Sequence, residues 1–489
     1  MKYEEPLICL FEDNNVFYIK KLKERVSIKD IPWFDPHSGK GFLYNADIDK
    51  NYCENPDCIY DNVFKLSYNK FVDQFSRFDS SADKKYHDFI NMYNILYNFF
   101  FEILSKNKVQ LVIFPNIPHH GWDTLLYYVA KEQGIKTLIL TMSIFPGRFF
   151  CVFDIDDFGL FNETPKFNNP GYMHIENKSE KKLSYTIFND TDVLFSLRTP
   201  TGYNFFKCGR IRLKEFVNLS SALLKKTLTN SNKKTIVNDD NSSQIHEYIS
   251  YKIIKQSKFD ILVLKLSQIY SDFGKVRDHI ISKNFRRDLI NENPDLSKKY
   301  VYFPLHLQPE LTTSSIGGIY VDQLLAIERL STIIPDDWFI YVKEHPAQTV
   351  FMRDKWFYMR LKAIKKVVFV DPFMNTYNIL KNSMFASTIT GTVGWEAITG
   401  GKNVLIFGNA WYKCLPGVFL YNPQIDINDI INNKIDHEKL EFEFNELMKK
   451  TGTGVIHNDK GDWVENFNYN ENLENIVSSI EKLLKEIKW

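Results

Sequence analysis

Charge of either sign in excess is what this 489-residue sequence lacks: 61 Lys and Arg stand against 60 Asp and Glu, a formal net charge of +1. A chain so balanced has no global field to draw it to nucleic acid or to an anionic membrane, so any anion it binds must meet a local site. No nucleic-acid partner is expected. Cysteine is scarce too. The six thiols are Cys9, Cys53, Cys58, Cys151, Cys208 and Cys414, and only Cys53 and Cys58 are close in sequence. With no second pair at metal spacing, the expectation is reduced, buried thiols and no metal. No apolar run approaches the ~18 residues of a membrane span. The start, Met1-Lys2-Tyr3-Glu4-Glu5-Pro6, has acids where a signal peptide needs cations, and the apolar run Leu7–Phe11 is too short for its core. The expected location is the cytoplasm, with peripheral attachment at the inner face of the cytoplasmic membrane left open.

Aromatic side chains are plentiful, with 40 Phe and 26 Tyr, and the length exceeds what one core usually serves. Two domains are expected. The first spans 1–245, with a polar linker at about 225–245, and a helical connector occupies 246–295. A second domain covers 296–469, and a closing helix 470–489. In the first half, apolar residues at helical spacing predict a buried helix over Tyr86–Lys106, while the polar region before Lys85 gives no clear pattern. Strand Val109–Phe114, helix Thr124–Glu132 ended by Gly134, and strand Lys136–Met142 make a βαβ pattern. From Lys299 onward the alternation is clearest. Strands are predicted at Tyr300–Leu305, Trp338–Lys343, Val367–Val370, Met384–Thr388 and Asn403–Phe407, with helices at Val321–Ile334, Arg353–Lys362 and Asn375–Lys381. The fold class is therefore α/β with Rossmann-like domains. The tail places Leu473, Ile476, Val477, Ile480, Leu483, Leu484 and Ile487 on one stripe, which suits packing on the protein better than a membrane surface because its polar face mixes Glu and Lys.

Three segments at predicted strand ends carry groups suited to phosphates and sugars. Thr390-Gly391-Thr392-Val393-Gly394-Trp395-Glu396 follows a strand and opens a helix. Its glycines allow close backbone approach and its helix offers N–H groups to an anion, although a plain tight turn would look the same. Glu396 could accept hydrogen bonds from a sugar or ribose, or only cap the helix. Lys343-Glu344-His345-Pro346 ends another strand, where proline turns the chain and leaves an ammonium and an imidazole at the sheet edge. Phe303-Pro304-Leu305-His306-Leu307-Gln308-Pro309-Glu310, with Thr312, Thr313, Ser314 and Ser315, adds an amide, a carboxylate and hydroxyls. It could equally be a surface loop held by its own Ser and Thr turns.

Taken in order and spacing over roughly 296–420, these segments together with Gly400-Gly401-Lys402, Phe407-Gly408 and Trp411-Tyr412 resemble the capsule polysaccharide biosynthesis family, whose members include Kdo transferases. The resemblance implies a GT-B-like architecture, two Rossmann-like domains facing a cleft, and a glycosyltransferase of bacterial capsule or other surface polysaccharide. It implies a CMP-activated donor, Kdo or a related acidic sugar, as substrate with no cofactor, and a glycan or glycolipid acceptor. It also admits peripheral association with membrane-bound polysaccharide assembly machinery. Carried over, Lys343 and His345 would contact the donor phosphate, Gly391, Thr392 and Gly394 would line it, and Gln308, Ser314 and Glu396 would hold hydroxyls.

Transfer also needs a base for the acceptor hydroxyl. The loop Pro118-His119-His120-Gly121-Trp122-Asp123 follows a first-domain strand, so Asp123, His119 and His120 are candidates, with Glu310 a further one; Asp123 could instead cap the helix after it. Departing charge would be met by Lys343, His345 and the helix terminus, without a metal. The triplets Asp47-Ile48-Asp49 and Asp154-Ile155-Asp156 could suggest a metal-dependent GT-A enzyme, but among 60 acidic residues such triplets arise easily by chance and Asp154 lies in a Phe-rich run, so they are discounted. Two other functions remain open: transfer of polyol phosphate from a CDP-polyol, and an inactive assembly or export subunit.

Overall fold

The computed structural model describes residues 7–9, 18–25, 59–78, 86–106, 108–175, 281–308, 311–346, 348, 353–457, 464 and 467–486. The expected linker at 225–245 and the connector up to 280 lie outside them, as do Cys9's side chain, Cys53, Cys58, Cys208, Asp47, Asp49 and Glu310.

Two sheets organise the described chain, and both belong to one compact unit. The first holds β1 (Leu7–Cys9), β2 (Leu111–Phe114) and β3 (Lys136–Met142), all parallel, followed by the antiparallel β4 (Arg148–Val152). Around it run α1 (Ile19–Arg25), α2 (Tyr60–Phe78), α3 (Tyr86–Lys106) and α4 (Trp122–Glu132). Helix α3 begins and ends where the apolar periodicity placed it. Helix α2 has no counterpart in the sequence reading, because its buried face mixes Ser67 and Gln74 with Val63, Phe71 and Phe75 while Leu66 is exposed. That mixture blurs the amphipathic signal.

The second sheet is fully parallel: β5 (Tyr300–Pro304), β6 (Phe339–Lys343), β7 (Val367–Val370), β8 (Phe385–Thr388), β9 (Val404–Ile406) and β10 (Val418–Leu420), in the order β10-β9-β8-β5-β6-β7. Counted from β5, this is the 3-2-1-4-5-6 order of a Rossmann sheet, and its direction of winding reverses between β5 and β8. The loops leaving the carboxyl ends of those two strands diverge there and open a crevice. The short α5 (Leu311–Ser314), then α6 (Gln323–Ile333), α7 (Lys355–Ala363), α8 (Thr376–Asn382) and α9 (Val393–Thr399), connect the strands. Asp322, Asp354 and Asn375 cap α6, α7 and α8 through their side chains. An α/β chain with two Rossmann-like sheets is thus what the alternation predicted, in keeping with a GT-B-like fold.

The end of the chain departs from the expected boundary at 469. After α10 (Ile427–Asn432) and α11 (His437–Met448), β11 (Thr451–Thr453) pairs antiparallel with β4 and so completes the first sheet, not the second. Helix α12 (Tyr469–Glu486) then buries Ile476, Val477, Ile480, Leu483 and Leu484 against Leu111, Ile113, Leu138, Leu140 and Phe149 of that sheet and Tyr18 and Leu22 of α1. Each such side chain contributes about 1.5–3 kcal/mol. The apolar stripe of α12 is therefore core, which removes the membrane-surface alternative for it. Among the described residues, no helix is long and apolar enough to cross a membrane.

Candidate functional site

The crevice between β5 and β8 is built on a buried histidine. His306, one residue beyond the Leu305 that follows β5, places Nε2 3.1 Å from Thr388 Oγ1 at the end of β8 and accepts a hydrogen bond from Thr390 N at 3.3 Å. Burial, then the charges of Arg353 and His345, pushes its imidazole down to about 3, so the ring is neutral. Gln323 fixes its backbone, accepting from His306 N at 2.8 Å and donating to His306 O at 3.2 Å.

The glycine turn after β8 is shaped by its own protein more than by room for a ligand. Gly391 N donates to Thr388 Oγ1, Gly394 N to Gly391 O and Glu396 N to Thr392 O, so these amides already have acceptors. A Cβ on Gly394 would lie 2.2 Å from Tyr412 Oη, and one on Gly391 2.8 Å from Thr388 Oγ1. Tyr412, fully buried, donates its hydroxyl to Gly391 O. The tight-turn reading accounts for both glycines. Thr392 is exposed at the start of α9 and its side chain makes no capping bond.

The titratable groups converge more tellingly. Lys343, the last residue of β6, is buried and donates Nζ to Thr376 Oγ1 of α8 at 2.7 Å. Burial pushes its ammonium down to about 8, against the pull of Asp371 and Glu396. Burial likewise raises the Glu396 carboxyl to about 7, against the Lys343 charge. Each lies in the other's field. Tyr302 of β5, wholly buried, borders the same group; burial raises its hydroxyl against the pull of Thr376, and the Glu396 charge adds to the rise. His345 keeps solvent contact, yet the protein around its ring, then Arg353 and Lys343, lowers it to about 4. It would meet a phosphate as a neutral donor, not a cation.

This edge is braced by residues the sequence reading passed over. Arg353, buried to 2%, forms an ion pair with the buried Glu344 and also donates to His306 O, tying the turn after β6 to the one after β5. Tyr358 Oη donates to the second Glu344 oxygen at 3.1 Å. Gln348 Oε1 accepts from Gln308 N at 2.7 Å, and Gln348 Nε2 donates to Gln308 O at 3.0 Å. The Gln308 amide nitrogen is spent on Val321 O at 2.6 Å. Ser314 is buried in α5. The one sequence signal for Arg353 was its place among apolar residues just before the Asp354 cap.

On the first sheet, the loop after β2 gathers His119, His120 and Asp123, with donor atoms within 4.8 Å of one another. Asp123 Oδ1 accepts from His120 N and Thr124 N, both at 2.7 Å, and Oδ2 from His119 N at 2.9 Å and His120 Nδ1 at 3.1 Å. Burial would raise this carboxyl, but the His120 hydrogen bond, both histidine charges and the His119 amide outweigh it and lower it. An ionised carboxylate saturated by four N–H groups is a positioning group, and a metal would have to displace one of them. Both histidines carry a proton on Nδ1, because His119 Nδ1 faces the Ile117 carbonyl at 2.8 Å and His120 Nδ1 the ionised Asp123 carboxylate at 3.1 Å, and both oxygens only accept. Their basic nitrogen is Nε2. Of the triplet Asp154-Ile155-Asp156, Asp154 anchors Tyr127 and Lys131 of α4 and is structural. Of the described thiols Cys151 is buried, but Cys414 is exposed, contrary to expectation.

The two loops meet through a shared segment. Ser315 Oγ donates to Pro118 O at 2.6 Å and accepts from Gln74 Nε2 at 3.2 Å, while Thr390 Oγ1 donates to Thr312 O at 2.9 Å. The histidine loop and the glycine turn are thus both bonded to residues 312–315. Over residues 229–451 the chain matches the sequence profile of the family described as capsule polysaccharide biosynthesis protein. The matched segment is just under half of the chain. The match extends beyond the 296–420 of the resemblance and takes in every predicted donor-side residue of this chain. No curated protein is similar enough to match. Solved structures similar to it include KpsC, a beta Kdo 2,7 transferase of Thermosulfurimonas dismutans, at 15% identity over 46% of this chain and 67% of that one, TM-score 0.23. Another is UDP-GlcNAc 2-epimerase from Methanocaldococcus jannaschii, at 12% identity over 97% and 99%, TM-score 0.22. A third is S. aureus MnaA with UDP, at 10% identity over 99% and 98%, TM-score 0.22. At such TM-scores the likeness carries no inference.

Proposed function

We propose that the protein transfers a sugar from a nucleotide-activated donor to a glycan or glycolipid acceptor during capsule or other surface polysaccharide synthesis. The observation that carries this reading is the convergence of Lys343, Glu396 and His345 at the switch point of the second sheet, bonded through residues 312–315 to the His119–His120–Asp123 loop of the first. Near neutral pH Lys343 is cationic and Glu396 close to half protonated, so the pocket favours an anion, and a CMP-activated acidic sugar such as Kdo presents both a phosphate and a carboxylate. Lys343 and the neutral His345 would meet the departing phosphate, with Thr392 at the exposed mouth. Asp123 holds the Nδ1 proton of His120, so that His120 Nε2, or His119 Nε2 beside it, takes the acceptor proton. No step here calls for a metal.

Thermal unfolding with CMP, CDP, UDP and GDP tests the donor, since a bound nucleotide raises the midpoint by mass action. A response to CMP with turnover of CMP-Kdo in the presence of acceptor is expected. Response to UDP alone removes the CMP assignment, and preferential consumption of CDP-glycerol would replace glycosyl by polyol-phosphate transfer. Unchanged polymer export with His345→Ala and Glu396→Gln, both folded, would leave only an assembly role.

A further inference from the structure

Helix α7 buries one face and leaves large apolar side chains exposed on the other. Tyr358 and Leu361 are buried in the second core, with Phe357 and Ile364 packed against it. On the opposite stripe Trp356 is 63% and Met359 43% exposed. An exposed tryptophan with a methionine one turn on is costly to leave in water, since together they keep much apolar surface hydrated. The Lys355 ammonium sits 5.2 Å from the centre of the Trp356 ring, Lys362 is exposed in the last turn, and Lys365 is exposed just beyond the helix end.

The charge balance of this face is specific. Arg360 is neutralised by Asp322 and Glu328, and Lys366 by Asp336. Among the described residues no ion pair engages Lys355, Lys362 or Lys365. The exposed acid on the helix is Asp354, occupied in capping it. The helix and the turn after it thus carry three cations in no ion pair among the described residues and one acid, beside an indole and a thioether. A protein interface core is depleted in lysine, whereas at a bilayer surface lysines reach lipid phosphates while their stems and a neighbouring tryptophan enter the headgroup layer.

We propose that the exposed face of α7 docks on an anionic phospholipid surface, Trp356 and Met359 entering the interface and Lys355, Lys362 and Lys365 meeting lipid phosphates. Because α7 follows β6, its first turn lies at the same carboxyl edge of the sheet as Lys343 and His345. Docking would therefore bring that edge toward the membrane. The proposal stands on α7 alone and does not depend on which reaction the protein performs.

Full-length protein is sedimented with vesicles of phosphatidylcholine and of phosphatidylcholine with an equal part of phosphatidylglycerol. About threefold or more additional protein on the anionic vesicles is expected, lost in high salt. Brominated lipid should quench tryptophan fluorescence in the native protein and much less in Trp356→Phe, while Lys362→Glu with Lys365→Glu should abolish the preference for anionic vesicles. All three positions are exposed, so circular dichroism should stay native. Equal partition to both vesicles, binding to neither, or quenching that persists in Trp356→Phe would overturn the proposal.

Discussion

Gln74 of α2 and Ser315 of the second lobe share a buried hydrogen bond of 3.2 Å, and each is also bonded to the histidine loop, Gln74 through Gly121 N and Ser315 through Pro118 O. The link between the two sheets at the site is therefore a closed polar circuit with no charged member. Ser315→Ala would leave the Gln74 amide and the Pro118 carbonyl short of partners, at a cost of about 1–3 kcal/mol. A lowered thermal midpoint with nucleotide affinity within about twofold of native is expected; an unchanged midpoint would mean that the circuit does not bind the lobes.

The Lys343 and Glu396 shifts give a pH dependence with a definite sign. Glu396 is raised from 4.5 to about 7, so the folded protein holds its proton more tightly and stability falls as pH climbs between those values. Lys343 is lowered from 10.5 to about 8, so stability is regained as pH climbs from about 8 toward 10.5. The ligand-free protein should receive its smallest contribution from this pair near pH 7–8. Binding of an anionic nucleotide follows a different course, weakening from pH 6 to 9 as Glu396 gains and Lys343 loses charge. Calorimetric titration of CMP across that range should show two steps, and Glu396→Gln should keep only the upper one.

Arg353→Met would strand the buried Glu344 carboxylate. Breaking a buried pair in this way costs about 3–5 kcal/mol, whereas replacing both partners costs far less. Urea unfolding of Arg353→Met, Glu344→Gln and the double variant Arg353→Met with Glu344→Met should show the double variant more stable than Arg353→Met alone. Additive losses would contradict this account.

If His120 or His119 takes the acceptor proton, alanine at that position should lower kcat about 10²–10⁴-fold, with CMP affinity unchanged. Asp123→Asn should lower it by reorienting His120. Equal losses in binding and turnover would instead point to a collapsed loop.

Alternation of apolar runs and turns made the second sheet readable almost strand by strand, because β5, β6, β8 and β9 are largely buried on both faces, the edge strand β7 is an unbroken apolar run, and proline or glycine bounds each of them. The residues proposed for the donor side sit where those runs stop, so their place at the carboxyl edge was legible in the same way. Gln74, Ser315 and Arg353 were not. Their importance comes from what faces them across 241 positions, in the case of Gln74 and Ser315, or from a guanidinium enclosed by a turn nine residues earlier. No local pattern encodes either. Which of two readings suits Gly394 was not legible either: it clears space for the Tyr412 hydroxyl, a residue 18 positions on.

The pairing of β11 with β4 and the seating of α12 over β2 and β3 set an order for assembly on the ribosome. Every strand of the second sheet has been synthesised by Leu420, so that sheet can close early. The first sheet, although its leading strands emerge long before, must wait with Leu111, Leu138 and Phe149 uncovered until the last helix arrives. Of these two sheets, the one whose first strands emerge earlier is thus the one completed later.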